Sequence, residues 1–141
     1  HPIRLKEFDN KWYLIGYSER HEALRTFGLD RIYEPSLLKR KYISTPAEEV
    51  EHYCTDIYGV YPIENQVKQE ITFLTSIDFT NYFEAYPIHK SQKAEKNNSG
   101  SSFFTINVVP SMELIRLFRS YGRHLEVINP DWLRQQTKSL K

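Results

Sequence analysis

The stretch Phe8-Asp9-Asn10-Lys11-Trp12-Tyr13-Leu14-Ile15-Gly16-Tyr17 constrains the fold more than any other part of the chain. Side chains of an extended strand alternate between its two faces. Here Trp12, Leu14 and Gly16 fall on one face and Tyr13, Ile15 and Tyr17 on the other, so neither is plainly made for solvent. Such a strand belongs in a small barrel or at a buried interface. Residues 3–8 and 11–19 both suit extended structure. Asp9-Asn10 between them suits a two-residue hairpin turn, because both residues tolerate positive φ. A charged loop at 18–23 leads to a third extended segment, 24–33. In it Arg25, Phe27, Leu29 and Arg31 share one face if no bulge intervenes.

Length and composition bound the rest. The chain has 141 residues, enough for one ordinary domain or two very small ones, and its apolar fraction of 40% is adequate for a core. Ten Tyr and eight Phe favour sheet-rich structure with rings that keep a polar contact. Nineteen Lys and Arg stand against eighteen Asp and Glu, which excludes a nonspecific polyanion binder and leaves only local nucleic-acid contact. The single cysteine, Cys54, forms no internal disulfide, and no run of about 18 apolar residues offers a membrane span. A cytoplasmic protein with no membrane partner is the simplest expectation. The chain opens on His1-Pro2 without Met and reads as a piece of something longer.

Pro35 and Pro46 bracket a basic connector, 36–45, whose Lys39-Arg40-Lys41 run reads as a solvated linker and a boundary between two units. Pro46-Ala47-Glu48-Glu49 then opens a helix with Thr45 as its cap, ending near residues 58–59. From residue 67 the pattern is strand (67–74), helix (78–86), strand (88–93), polar loop (94–101), strand (102–109), helix (112–121) and strand (125–128). Ser111 caps the second of these helices, Leu114, Leu117 and Phe118 form its apolar stripe, and Gly122 stops it. A short last helix starts at Asn129-Pro130. The β-α-β-β-α-β order is the ferredoxin-like plan, with one sheet face under helices and the other free for a partner or the connector helix.

Two resemblances cover almost the whole chain. The Trp12-Tyr13-Leu14 strand followed by Arg25-Thr26-Phe27-Gly28-Leu29-Asp30-Arg31-Ile32 resembles the WYL domain. The segments Ile88-His89-Lys90-Ser91-Gln92-Lys93, Phe104-Thr105-Ile106-Asn107-Val108, Met112-Glu113-Leu114, Ser120-Tyr121-Gly122 and Leu125-Glu126-Val127-Ile128-Asn129-Pro130-Asp131-Trp132-Leu133-Arg134 resemble WCX, the extension that follows WYL domains in bacterial transcription regulators. The order of the two is also the family's. The resemblance implies an α+β chain: a partial Sm-like or SH3-like small β-barrel, then a ferredoxin-like domain. The expected domains are WYL at 1–45, a connector at 46–66 and WCX at 67–141. In that family a winged helix-turn-helix and one or two barrel strands usually stand ahead of the segment matching His1-Pro2. DNA would then be contacted through that absent N-terminal module. An unpaired barrel edge could be covered by a second copy, as a homodimer.

Arg20, His21, Arg25 and Arg31 lie close in sequence to Tyr13, Tyr17 and Phe27. The Arg fork suits phosphate and the rings offer stacking surfaces, a combination used for single strands and nucleotides. In WYL proteins the corresponding basic and aromatic positions are implicated in binding nucleic-acid or nucleotide-like ligands. The resemblance therefore implies a ligand site built from Tyr13, Tyr17, Arg20, His21, Arg25, Phe27 and Arg31. Against it, residues 4–31 hold six Lys or Arg and five Asp or Glu, so ordinary salt bridges, such as Asp30 with a neighbouring Arg, absorb much of the charge. Trp12 and Leu14 are read as core.

His89 and Ser91 share a strand face, but no acid is placed to orient the imidazole and no glycine-rich elbow presents the hydroxyl. No catalytic residue is assigned, and the chain is not read as an enzyme. His52 and Cys54 point apart on a helix, so neither a metal nor another cofactor is expected. The function expected is effector sensing coupled to dimer arrangement. The alternative is a homo-oligomerisation module with no small ligand of its own.

Overall fold

Asp9 and Asn10 take φ of 53° and 58°, closing a two-residue turn of the kind that matches strand twist. The structure, a computed structural model, describes residues 1–97 and 99–138. Asn98, inside the expected 94–101 loop, and residues 139–141, the end of the expected last domain, lie outside the described residues. The chain divides into two compact units, His1–Thr55 and Asp56–Lys141.

In the first unit β1 (Pro2–Phe8), β2 (Lys11–Ser18) and β3 (Ala23–Gly28) form an antiparallel sheet in that order, and α1 (Ala47–Thr55) lies on one face. Ile15, Leu24 and Val50 are its buried centre, with Ile3, Tyr17, Tyr53 and Cys54 packed around them. Three polar links fasten α1 to the sheet. Arg4 pairs with Glu51 at 2.8 Å, Lys6 donates to the Cys54 carbonyl at 2.9 Å, and Thr26 shares a hydrogen bond with the Tyr53 hydroxyl at 3.1 Å.

That helix decides which face of β2 is inside. Tyr13 and Ile15 are buried, while Trp12 is 54% exposed and Leu14 half-buried on the other side. The expectation of Trp12 and Leu14 as core is therefore corrected. With both parities apolar the alternation had no phase of its own, and Val50 supplied it. The third segment is shorter than the expected 24–33. After Gly28 the backbone turns into a 3-10 helix, Leu29–Arg31, so Leu29 and Arg31 do not continue the face that carries Arg25 and Phe27.

In the second unit β4 (Gln69–Thr75), β5 (Lys93–Lys96), β6 (Ser102–Val108) and β7 (Leu125–Asn129) form an antiparallel sheet ordered β5-β6-β4-β7. α2 (Ile77–Ala85) and α3 (Met112–Ser120) cover one face, giving the ferredoxin-like arrangement, and α4 (Asp131–Thr137) packs beside β7. Phe73, Phe104, Ile71 and Ile106 from the central strands meet Phe83, Leu114 and Phe118 from the helices, all essentially without solvent contact. Ser111 caps α3, accepting from the Leu114 N–H at 3.0 Å and donating to the Tyr58 carbonyl at 2.5 Å. The last helix begins one residue later than Asn129-Pro130 suggested, with Pro130 as its cap.

The strand expected at 88–93 lies instead at Lys93–Lys96 and is exposed along its whole length. Ahead of it, Ser91 stands in for the strand. Its Oγ accepts from the Asn107 N–H at 2.8 Å and approaches the Asn107 carbonyl at 3.3 Å, at the place where the register would put the next backbone pair. Gln92 fixes the same loop to α2, donating to the Phe83 carbonyl and accepting from the Ile88 N–H. The His89–Ser91 contact of 2.7 Å thus belongs to a loop that holds the edge of β6.

Tyr121 sits among Phe79, Tyr82 and Phe83, and burial followed by its hydrogen bond with Tyr82 pushes its phenol up to about 12. An unfolded Tyr titrates near 10, so the stability tied to the neutral phenol is complete below pH 10 and is lost as pH rises through about 12. Thermal melts should show the melting temperature falling across that window, with a shallower fall for Tyr121→Phe. Equal slopes for the two proteins would contradict this placement.

Candidate ligand site

Gly16 shows why this end of β2 is special. The N–H of Tyr17 donates to the His1 carbonyl at 2.9 Å, and a Cβ on Gly16 would lie 2.8 Å from that same oxygen. A glycine inside an apolar strand marks such a close backbone approach. Beside it opens a cleft of about 410 Å³. Leu14, Gly16 and Phe27 of the sheet line it together with Tyr17, Ser18, Glu19, His1, Pro2 and Arg40.

The polar rim is organised by Glu19. One of its carboxylate oxygens meets His1 Nε2 at 2.9 Å and the other meets Arg40 at 3.5 Å. His1 Nδ1 accepts from the Ile43 N–H at 3.2 Å, and the Tyr42 hydroxyl donates to the Pro2 carbonyl at 3.2 Å. Residues 40–43, expected within a solvated linker, are thus tied to the sheet.

The predicted residues do not all share one place. Tyr17 and Phe27 line the cleft. Arg25 is exposed directly across from Gly16 in the β2–β3 register, with one guanidinium N–H donating to the Leu24 carbonyl at 3.0 Å. Arg20 and His21 are exposed in the adjoining loop, where His21 Nδ1 meets the Ser18 hydroxyl at 2.9 Å. Tyr13 lies on the opposite, helix-covered face, only 8% exposed. Arg31 follows the strand, pairs with Asp30 at 3.0 Å and folds back over Gly28.

The outward face carries two side chains that sequence reasoning placed in the core, Trp12 and Leu14. Trp12, Leu14 and Phe27, with Leu5 paired to Leu14 on β1, form a row of apolar side chains, of which Leu5, Trp12 and Phe27 are more than 40% exposed. Gly16 was the available signal, because it fixes which face of β2 the neighbouring backbone approaches. No group of three or more His, Cys, Asp or Glu able to hold a metal occurs among the described residues. No helix among them is long and apolar enough to cross a membrane.

Residues 1–37 match the model of the WYL domain, and residues 68–140 match that of the WCX domain. Among solved structures, the proteasome accessory factor B/C (PafBC) of Arthrobacter aurescens is similar at 21% identity and a TM-score of 0.45. The match covers 96% of this chain and 20% of that one, so the chain spans about a fifth of that protein's length. No curated protein matches. The WCX match takes in more than half of the chain and the WYL match precedes it, so the chain belongs to the WCX-domain family and carries a WYL domain ahead of its WCX domain.

Proposed function

We propose that this chain is the effector-sensing part of a WYL-type transcription regulator, and that its effector is a single-stranded nucleic acid or a nucleotide-like ligand held on the outward face of β2 and β3. The observation that carries the reading is the exposed pair Trp12 and Phe27, with Arg25 on the same face and the Gly16 cleft beside it. Aromatic faces accept any base by stacking, and an Arg at the rim takes a phosphate. Tyr17, Arg20 and His21 border this surface. Arg31 and Tyr13 are secondary to it, the one being paired with Asp30 and the other buried.

In a regulator the ligand acts only through a difference in affinity for two arrangements of the protein, here taken to be dimer arrangements coupled to a DNA-binding module outside this chain. A second reading, an assembly module, draws on the same apolar face and on β1 and β3, both of them edges of the sheet. Fluorescence anisotropy with a labelled oligothymidylate separates the two. The sensor reading expects binding that weakens with salt, and Arg25→Ala should reduce the slope of log K against log salt by about 0.7, one phosphate contact on a single strand. Salt-independent or absent binding would leave the assembly reading in possession.

A further inference from the structure

The WCX unit carries a second concave site on which the sensing reading makes no demand. Gly122 and Arg123, with Leu125, Glu126 and Val127 of β7 and the last turn of α4, enclose about 240 Å³. We propose that this cleft binds the dianionic phosphate group of a phosphate monoester.

From residue 116 to 138 the chain places Arg116, Arg119, Arg123, Arg134 and Lys138 against only Glu126 and Asp131, although the whole chain is close to neutral. Some of this excess has a local use. Arg119 donates from Nε and Nη2 to the Gln136 carbonyl at 2.8 and 2.5 Å, satisfying the end of α4. Arg134 donates to Glu126 at 2.7 Å. Arg123 and Lys138 have no acidic partner among the described residues, and both line the cleft together with Arg134.

Three cations and one carboxylate leave two positive charges around the space. That matches a phosphate monoester, which carries about −1.5 to −2 at pH 7, better than a diester with a single charge. Glu126 opposes any anion, a cost already counted in that net charge, and it holds the Arg134 fork in place. Glu126 takes one of the five N–H donors of that guanidinium. Thr137 is a neutral wall, because its hydroxyl donates to the Leu133 carbonyl at 3.0 Å. The cleft takes in the C-terminal turn of α4, where the helix dipole gives an anion no help, so binding rests on the side-chain cations. The volume suits a phosphate with any attached group standing out in solvent.

Amide NMR on the full chain in about 0.1 M salt, where exposed charges are already largely screened, tests the site with three probes: inorganic phosphate, thymidine 5′-monophosphate and dimethyl phosphate. Saturable shifts at Gly122 and Arg123 are expected with the first two. Dimethyl phosphate should bind about tenfold more weakly, as should phosphate to Arg123→Ala, one charge-assisted contact having been removed. Lys138→Gln should weaken binding in the same direction, and Arg25→Ala in the other unit should leave it unchanged. No saturable shift, equal binding of dimethyl phosphate, or full affinity in Arg123→Ala would overturn the proposal, without touching the oligonucleotide reading.

Discussion

Phe73→Ala should lower the stability of the WCX unit by about 3–5 kcal/mol, the range for truncating a buried Phe in a core that cannot collapse. Phe73 is fully buried on the central strand β4. Its ring stacks on Phe104 at 5.5 Å and meets Phe118 at 5.2 Å and Phe83 at 5.6 Å, so one truncation opens a cavity between sheet and both helices. A domain of this size has roughly 5–15 kcal/mol in total. Urea unfolding of the full chain should therefore show the transition of this unit moved to much lower denaturant. A change below about 0.5 kcal/mol, the usual size of a surface effect, would contradict the packing described.

Trp12→Ala with Phe27→Ala should do the reverse, costing binding and sparing the fold. Both rings are more than 40% exposed, so their removal gives up little burial. If each stacks one base, the loss is about 1–3 kcal/mol per ring, and oligothymidylate affinity should fall about a hundredfold while the urea transition scarcely moves. A large loss of stability with unchanged binding would show that these rings cover a structural partner instead.

What could be read from the sequence follows from where it carries a phase. The β-α-β-β-α-β order was legible because Ser111, the Leu114–Phe118 stripe and Gly122 mark one helix at both ends, and because β4 and β6 alternate cleanly. The Asp9-Asn10 hairpin was legible because few residue pairs take positive φ twice. The orientation of β2 was not, since apolar residues of both parities leave the choice to α1, a helix distant in sequence. β5 was missed because Lys93-Ala94-Glu95-Lys96 is a short charged edge strand with no buried face, the kind that protects a sheet from further pairing. Arg31 was placed on a strand because the alternation was carried past Gly28, the last residue of β3, to residue 33, and the turn into Leu29–Arg31 is fixed by local backbone geometry that alternation does not report.

The family resemblance pointed to basic and aromatic residues around the β2–β3 loop, and the fold divides them. Tyr17, Arg20, His21, Arg25 and Phe27 remain candidates at or beside one surface. Tyr13 changes places with Trp12, because the side chain expected inside is the one that faces out. The candidate residues were legible as a stretch of chain, and the side of the sheet that each one faces was not.

Trp12 itself offers the most direct test. The chain has two tryptophans, and the other, Trp132, is half-buried in the WCX unit, donating to Gln69 at 3.4 Å. In a Trp132→Phe protein the emission reports Trp12 alone. Titration with oligothymidylate should quench it saturably and progressively less as salt is raised, as expected where a base stacks on the indole and phosphates are held by Arg. Binding seen by anisotropy with no change in Trp12 emission would contradict the account.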